Sequence, residues 1–159
     1  MADNSKAIAA VNHWRGQCLD SFARVEHEII LLLERWIATD PKTAPTLAEA
    51  AAARTRNLAA GLKKHRPSDD KAKQLVQQLE YWGFREKQRN ELVHGQFNVE
   101  NDGADWVLIN VTRAIKKQVS TERKELMTSA EAKAFLTAVR NERRVLVAAL
   151  SNFQIAPKA

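Results

Sequence analysis

The sequence predicts a mainly α-helical protein with a small β-hairpin inserted before its last helix. Composition points first in that direction, with 45% hydrophobic and 28% charged residues but only five glycines and four prolines in 159 positions. Apolar residues then recur at alternating three- and four-residue spacing over most of the chain, which is the period of a helix face. Beyond Gly95 that period gives way to strict alternation, which is the period of a strand.

Ile8, Val11, Cys18, Phe22, Val25, Ile29, Leu32 and Trp36 form one apolar stripe, so the first segment reads as a long amphipathic helix. Asp40-Pro41 stops it. In Pro45-Thr46-Leu47-Ala48-Glu49 a glutamate follows a threonine by three residues, the pattern of a capping box, and a second helix is expected from there to about Lys64. His65-Arg66-Pro67-Ser68 ends that helix, and Ser68 before Asp69 and Asp70 offers an N-cap and negative charge for a third. The third helix carries Leu75, Leu79, Trp82 and Val93 on one stripe, with Gly95 as terminator because glycine accepts the left-handed backbone that closes helices.

Phe97 and Val99 alternate with polar residues, Asn101-Asp102-Gly103 signals a turn, and Val107, Ile109 and Val111 alternate again, so a hairpin is expected. Glu122 to Met127 is a candidate third strand, against which its lysine and acids argue. Thr128 and Glu131 repeat the capping-box pattern and open a last helix to about Phe153, with Phe135, Val139, Leu146, Leu150 and Phe153 inward. The expected organisation is a single domain over residues 1–159, with 96–127 as the β insertion and 154–159 as a loose tail.

Cys18 is the only cysteine, which excludes an internal disulfide and a cysteine-rich zinc site and fits a reducing cytoplasm. No basic start followed by an apolar run marks a signal peptide, and no stretch is apolar enough to span a bilayer, so no membrane association is expected. A net charge of +6 favours acidic partners, although the basic clusters read equally as solvated helix faces or as a nucleic-acid surface.

The third helix ends on the most informative stretch, Arg89-Asn90-Glu91-Leu92-Val93-His94-Gly95. At about 100° per residue, Leu75, Leu79, Trp82, Glu86, Arg89 and Val93 share a narrow arc, so Glu86 and Arg89 stand where apolar residues are expected. Charge on an inward face is costly unless it is paired or faces a wet cleft. Asn90 lies at the arc's edge, and the stripe therefore becomes either a polar pocket or a satisfied buried network. Five residues turn a helix by about 140° and raise it about 7.5 Å, so His94 diverges from Arg89. One phosphate meets both only if the helix unwinds at Val93 to Gly95 or a second copy completes the site; otherwise His94 simply complements the helix dipole.

Arg89-Asn90-Glu91-Leu92-Val93-His94 resembles the signature of the HEPN superfamily (higher eukaryotes and prokaryotes nucleotide-binding): an arginine, a polar residue that is often asparagine, and a spacer ending in histidine. The resemblance implies a four- or five-helix up-and-down bundle that forms a homodimer and brings two such motifs into one cleft. Many relatives are metal-independent endoribonucleases that act as toxins or antiphage effectors, and others are non-catalytic binding domains. It implies RNA or a nucleotide as ligand, an antitoxin protein as a further partner, and no cofactor. Arg89, Asn90 and His94 would be the catalytic residues, with Glu86 and Arg85 in support. Relatives paired with a nucleotidyltransferase antitoxin carry a tyrosine two residues after the histidine; Gln96 stands there in this chain.

The chemistry agrees with those roles. Metal-free RNA cleavage needs a base for the ribose 2′-hydroxyl, an acid for the leaving 5′-oxygen, and positive charge at the phosphorus. His94 suits base or acid, Arg89 suits the phosphoryl oxygens, and Asn90 suits orienting His94 or substrate. No other constellation competes. His13, His27, His65 and His94 lack paired metal-ligand spacing, Ser21 and Cys18 lack a histidine-and-acid pattern, and Trp14, Trp36, Trp82 and Trp106 fit core positions better than base stacking. Three readings follow: a ribonuclease, a non-catalytic binder of RNA, nucleotide or protein, and a helical dimerisation protein.

Overall fold

The computed structural model describes residues 4–102, 105–116 and 119–155. The protein is mainly α, with four helices among the described residues and a small antiparallel sheet before the last of them. In chain order these are α1 (Ser5–Thr39), α2 (Ala51–His65), α3 (Asp70–His94), β1 (Gln96–Asp102), β2 (Asp105–Lys116), β3 (Val119–Thr128) and α4 (Ser129–Asn152). The residues form two compact units, one from the stretch up to Asp20 with Lys87–Arg140, the other from Ser21–Glu86 with the stretch after Arg140. Helices α1, α3 and α4 each run through both.

The first unit is built around Trp14. Its indole N–H donates to the Ala132 carbonyl at 2.7 Å, and its ring lies 6.3 Å from Trp106 and 6.2 Å from Phe135. The sheet has the order β1-β2-β3, and the candidate third strand is real, running antiparallel to β2 for its full length. Charge did not prevent it, because residues 119–124 of β3 lie exposed at the sheet edge. Register puts Phe97 opposite Asn110 and Val99 opposite Leu108, so both share the face of the buried Leu108. Val107, Ile109 and Val111 point to the other face. The expected turn lies partly outside the described residues: Asn101 and Asp102 belong to β1, and Gly103 is not described; nor are residues 156–159 of the expected tail.

In the second unit Phe22 meets Trp82 at 5.2 Å between ring centres, and Val25, Ile29, Leu32, Leu58, Leu62, Leu75, Leu79, Leu146 and Leu150 complete the core. Among the stripe residues of α1, Ile8 is the exception at 46% exposure, and Ala7 points inward instead. The helix pitch carries Ile8 about 100° past Ala7 and out of the arc.

Helix α2 starts later than its sequence suggests. Its N-cap is Ala50, which makes no side-chain cap bond, and Thr46 and Glu49 form no capping box. Residues 44–50 instead run alongside α2. Pro45 lies over Gly61, where an added Cβ would stand 2.3 Å from its Cγ; the Asn57 amide donates to the Thr46 carbonyl at 3.0 Å; Arg54 donates to the carbonyls of Ala48 (2.7 Å) and Glu49 and pairs with Glu26. These contacts with α2 hold out of the helix a segment that its own pattern reads as helix. At α3 the cap is Asp69 rather than Ser68, its carboxylate accepting from the N–H groups of Lys71 (2.9 Å) and Ala72 (3.2 Å). The capping box at α4 forms as read: Glu131 N–H donates to Thr128 Oγ1 at 3.2 Å and Thr128 N–H to Glu131 Oε2 at 2.8 Å. Of its inward residues, Phe135 is only half-buried.

Candidate functional site

Arg89, Asn90 and His94 occupy the last two turns of α3, and the helix is regular to His94. Unwinding at Val93 to Gly95 therefore does not occur. Within one chain Arg89 and His94 diverge by about 140°, while Asn90 and His94, one turn apart, share a face. Asn90 and His94 are exposed and Arg89 is half-buried.

Helix α3 buries Leu75, Leu79 and Trp82, but the continuation of that arc, Val93, is 38% exposed, and the buried residue of the last turn is Leu92 at 5%. The inward side has rotated, because Gln88, Glu91 and Leu92 now face the sheet and line a cavity of about 70 Å³ with Phe97, Leu108 and Asn110. The arc that begins as core thus ends as an open face carrying Arg89 and Val93, with Asn90 and His94 exposed on the neighbouring face. Periodicity extrapolated from the first turns placed Val93 inward, since it carries no information on where the covering element changes.

The helix end is held by a residue that sequence reasoning missed. Arg15 on α1 donates from Nε to the Leu92 carbonyl at 2.7 Å and from Nη2 to the Val93 carbonyl at 3.1 Å, and its guanidinium lies 4.7 Å above the Phe97 ring. Arginine so placed satisfies carbonyls that a helix end leaves without partners and complements the negative pole of the dipole. The only trace in sequence is an arginine beside an inward tryptophan.

Gly95 closes the helix for a different reason from the expected one. Its φ lies outside the left-handed range, and glycine is required by close approach: an added Cβ would stand 2.0 Å from Asn110 Oδ1 and 2.5 Å from the Glu91 carbonyl, which accepts the Gly95 N–H at 2.8 Å. Asn110 Oδ1 is buried without a hydrogen-bond partner. Glu91 has its carboxyl pushed up by burial and by the nearby Glu125 carboxylate, against the opposing pull of Arg123, whose Nη1 lies 3.4 Å away.

The two supporting residues sit in the second unit. Arg85 forks onto Glu142, with Nε–Oε2 2.8 Å and Nη2–Oε1 2.6 Å. Glu86 is buried at 8% exposure and accepts the Thr55 hydroxyl at 2.6 Å. A carboxylate on the inward stripe is therefore supplied with a donor. Among the described residues no group of three or more histidines, cysteines, aspartates or glutamates is placed to hold a metal ion, and no helix is long and apolar enough to cross a membrane. Trp14, Trp36 and Trp82 are core residues at 5%, 0% and 2% exposure.

No family model matches this chain, and comparison with curated proteins and with solved structures gave no significant match.

Proposed function

We propose that the chain is a HEPN-like, metal-independent endoribonuclease of the cytoplasm that cleaves single-stranded RNA as a homodimer, in the manner of a toxin or antiphage effector held by an antitoxin protein. One observation carries the reading: a regular helix ends with Arg89 on an open face that continues a core stripe and with Asn90 and His94 exposed on the neighbouring face. A polar face in that position suits burial against a second copy, and the divergence of Arg89 from His94 makes two copies necessary for both to meet one phosphate.

In such a cleft the ribose 2′-oxygen attacks phosphorus and the bond to the 5′-oxygen breaks. His94 accepts the 2′-hydroxyl proton or supplies one to the leaving oxygen, Arg89 takes the charge on the phosphoryl oxygens, and Asn90, on the face of His94, orients it or the substrate. Requirement for the 2′-hydroxyl makes DNA a poor substrate. The test is incubation of wild type, Arg89→Ala and His94→Ala with single-stranded RNA in excess chelator. Products ending in 2′,3′-cyclic phosphate, lost in both folded variants, are expected; equal activity in the variants refutes the site.

The regular helix also favours a second reading. A single copy holds Arg89 and His94 apart, which suits a non-catalytic binder of RNA or nucleotide whose affinity falls with salt without turnover.

A further inference from the structure

Within the second unit, α3 and α4 border a groove of about 400 Å³, inside the range of roughly 300–1,000 Å³ usual for small-molecule sites. The buried Trp82 and Leu146 form its floor, and Tyr81 and Val145, each 56% exposed, stand at its rim. Glu142 is the one charged residue among those that line it. The Arg85 fork, at 2.8 and 2.6 Å, neutralises that carboxylate. A ligand seated in the groove therefore meets no uncompensated charge.

Three amides interrupt this apolar lining. Gln77 and Gln78 stand one helical turn before Tyr81 and Trp82, and Asn141 precedes Glu142, whose partner Arg85 lies one turn after Tyr81. From Gln77 to Arg85 the helix rises about 12 Å, so the amides flank a slot of about that length. Gln78 Oε1 is buried without a hydrogen-bond partner. An acceptor so placed has lost water and gained no donor, which is unfavourable until a ligand supplies one.

We propose that this groove binds an uncharged nucleoside whose base carries an amino group, adenosine or cytidine. Each feature of the lining selects part of that ligand. No lining residue is a cation, so a phosphate would face Glu142 without compensation. The apolar floor and the exposed ring of Tyr81 suit a planar base, because stacking on an aromatic side chain tolerates any base. Gln78 Oε1 requires a donor, which an amino group provides, and the ring nitrogen beside that group accepts an amide N–H. Glutamine and asparagine read adenine by such a two-point match, and cytosine offers the same donor and acceptor side by side. A wholly apolar ligand would leave Gln78 unpaired and is disfavoured. The slot extends past the base towards Asn141, where sugar hydroxyls can meet its amide. Arg89, Asn90 and His94 belong to the first unit, so the groove is a separate site and does not depend on RNA cleavage.

Calorimetric titration of the full chain with adenosine, cytidine and their deaminated counterparts inosine and uridine, at low and at raised salt, tests the proposal. Adenosine or cytidine is expected to bind saturably with an affinity that salt leaves unchanged. Its deaminated counterpart presents an acceptor to Gln78 and is expected to bind on the order of tenfold more weakly. Gln78→Leu is expected to weaken binding about tenfold while Tm stays level or rises, since it removes an unpaired acceptor. Val145→Trp, which fills the groove, is expected to abolish binding with the circular dichroism melt retained. No saturable binding of any of the four, equal affinity for amino and deaminated forms, or binding indifferent to both substitutions overturns the proposal. Binding that is lost in Arg89→Ala but kept in Val145→Trp also overturns it and moves the ligand to the motif. A short single-stranded RNA identifies the source of the nucleoside, and both of its outcomes support the site. Competition with the bound nucleoside assigns the groove to a base of RNA, and lack of competition assigns it to the free nucleoside.

Discussion

Replacement of Gly95 by alanine tests the helix end most sharply. The new methyl would lie 2.0 Å from Asn110 Oδ1 and 2.5 Å from the Glu91 carbonyl, both inside the 3.0 Å limit that real Cβ contacts respect. Asn110 can rotate its amide away. The Glu91 oxygen is backbone, and it already accepts the Gly95 N–H at 2.8 Å, so relief there breaks the last hydrogen bond of the helix. Overpacking costs roughly 1–3 kcal/mol and a lost hydrogen bond about 1, giving a destabilisation of about 2–4 kcal/mol. Urea unfolding of Gly95→Ala, Asn110→Ala and the double variant, followed by circular dichroism, measures it. Asn110→Ala in the Gly95→Ala background is expected to recover less than half of the loss, and Gly95→Asn to behave no better than Gly95→Ala, because no left-handed φ is involved. A loss below about 0.5 kcal/mol, the usual range of neutral surface changes, or recovery to the stability of Asn110→Ala alone would refute the close-approach argument.

Other expectations are simpler to check. Thr55→Val removes the hydroxyl that Glu86 accepts and leaves a buried carboxylate short of a donor, which should cost about 1.5–3 kcal/mol in the same unfolding assay. The Cys18 thiol is pushed up to about 12 by burial, only partly opposed by the positive charge of Arg140, so a thiol reagent at pH 8 should react with it at the rate of unfolding, and fast native-state labelling would contradict its placement. Glu131 has its carboxyl held below the usual range by the Thr128 backbone N–H and hydroxyl. Because its folded pKa is depressed, that stabilisation is present above the ordinary glutamate range and lost as pH falls through the folded value. Glu131→Gln should therefore lower Tm at pH 7, with the difference shrinking as pH falls through the folded value.

What the sequence reveals is what neighbouring residues decide. The α1 stripe is legible because one arc stays covered from Val11 to Trp36, and the Thr128–Glu131 box because both partners lie within one turn. The same box pattern misleads at Thr46 and Glu49, where Asn57, Arg54 and Gly61 hold the segment against α2 from outside its own sequence. Val93 and Leu92 exchange roles because the covering partner of α3 changes to the sheet near its end. Arg15 escapes notice because 77 residues separate it from the carbonyl it binds. The motif is legible as chemistry, since arginine, asparagine and histidine announce their functions by type. Whether its members can act together depends on helix regularity at His94, which periodicity leaves open.

That regularity makes the central claim testable by mixing two inactive proteins. Arg89→Ala and His94→Ala, each purified and inactive on single-stranded RNA, are combined and allowed to exchange subunits, and cleavage is followed in chelator. If Arg89 and His94 act across two copies, activity returns on mixing, because a mixed dimer pairs the intact arginine of one chain with the intact histidine of the other. A mixture that exchanges subunits yet stays inactive, or full activity in either variant alone, would contradict the account.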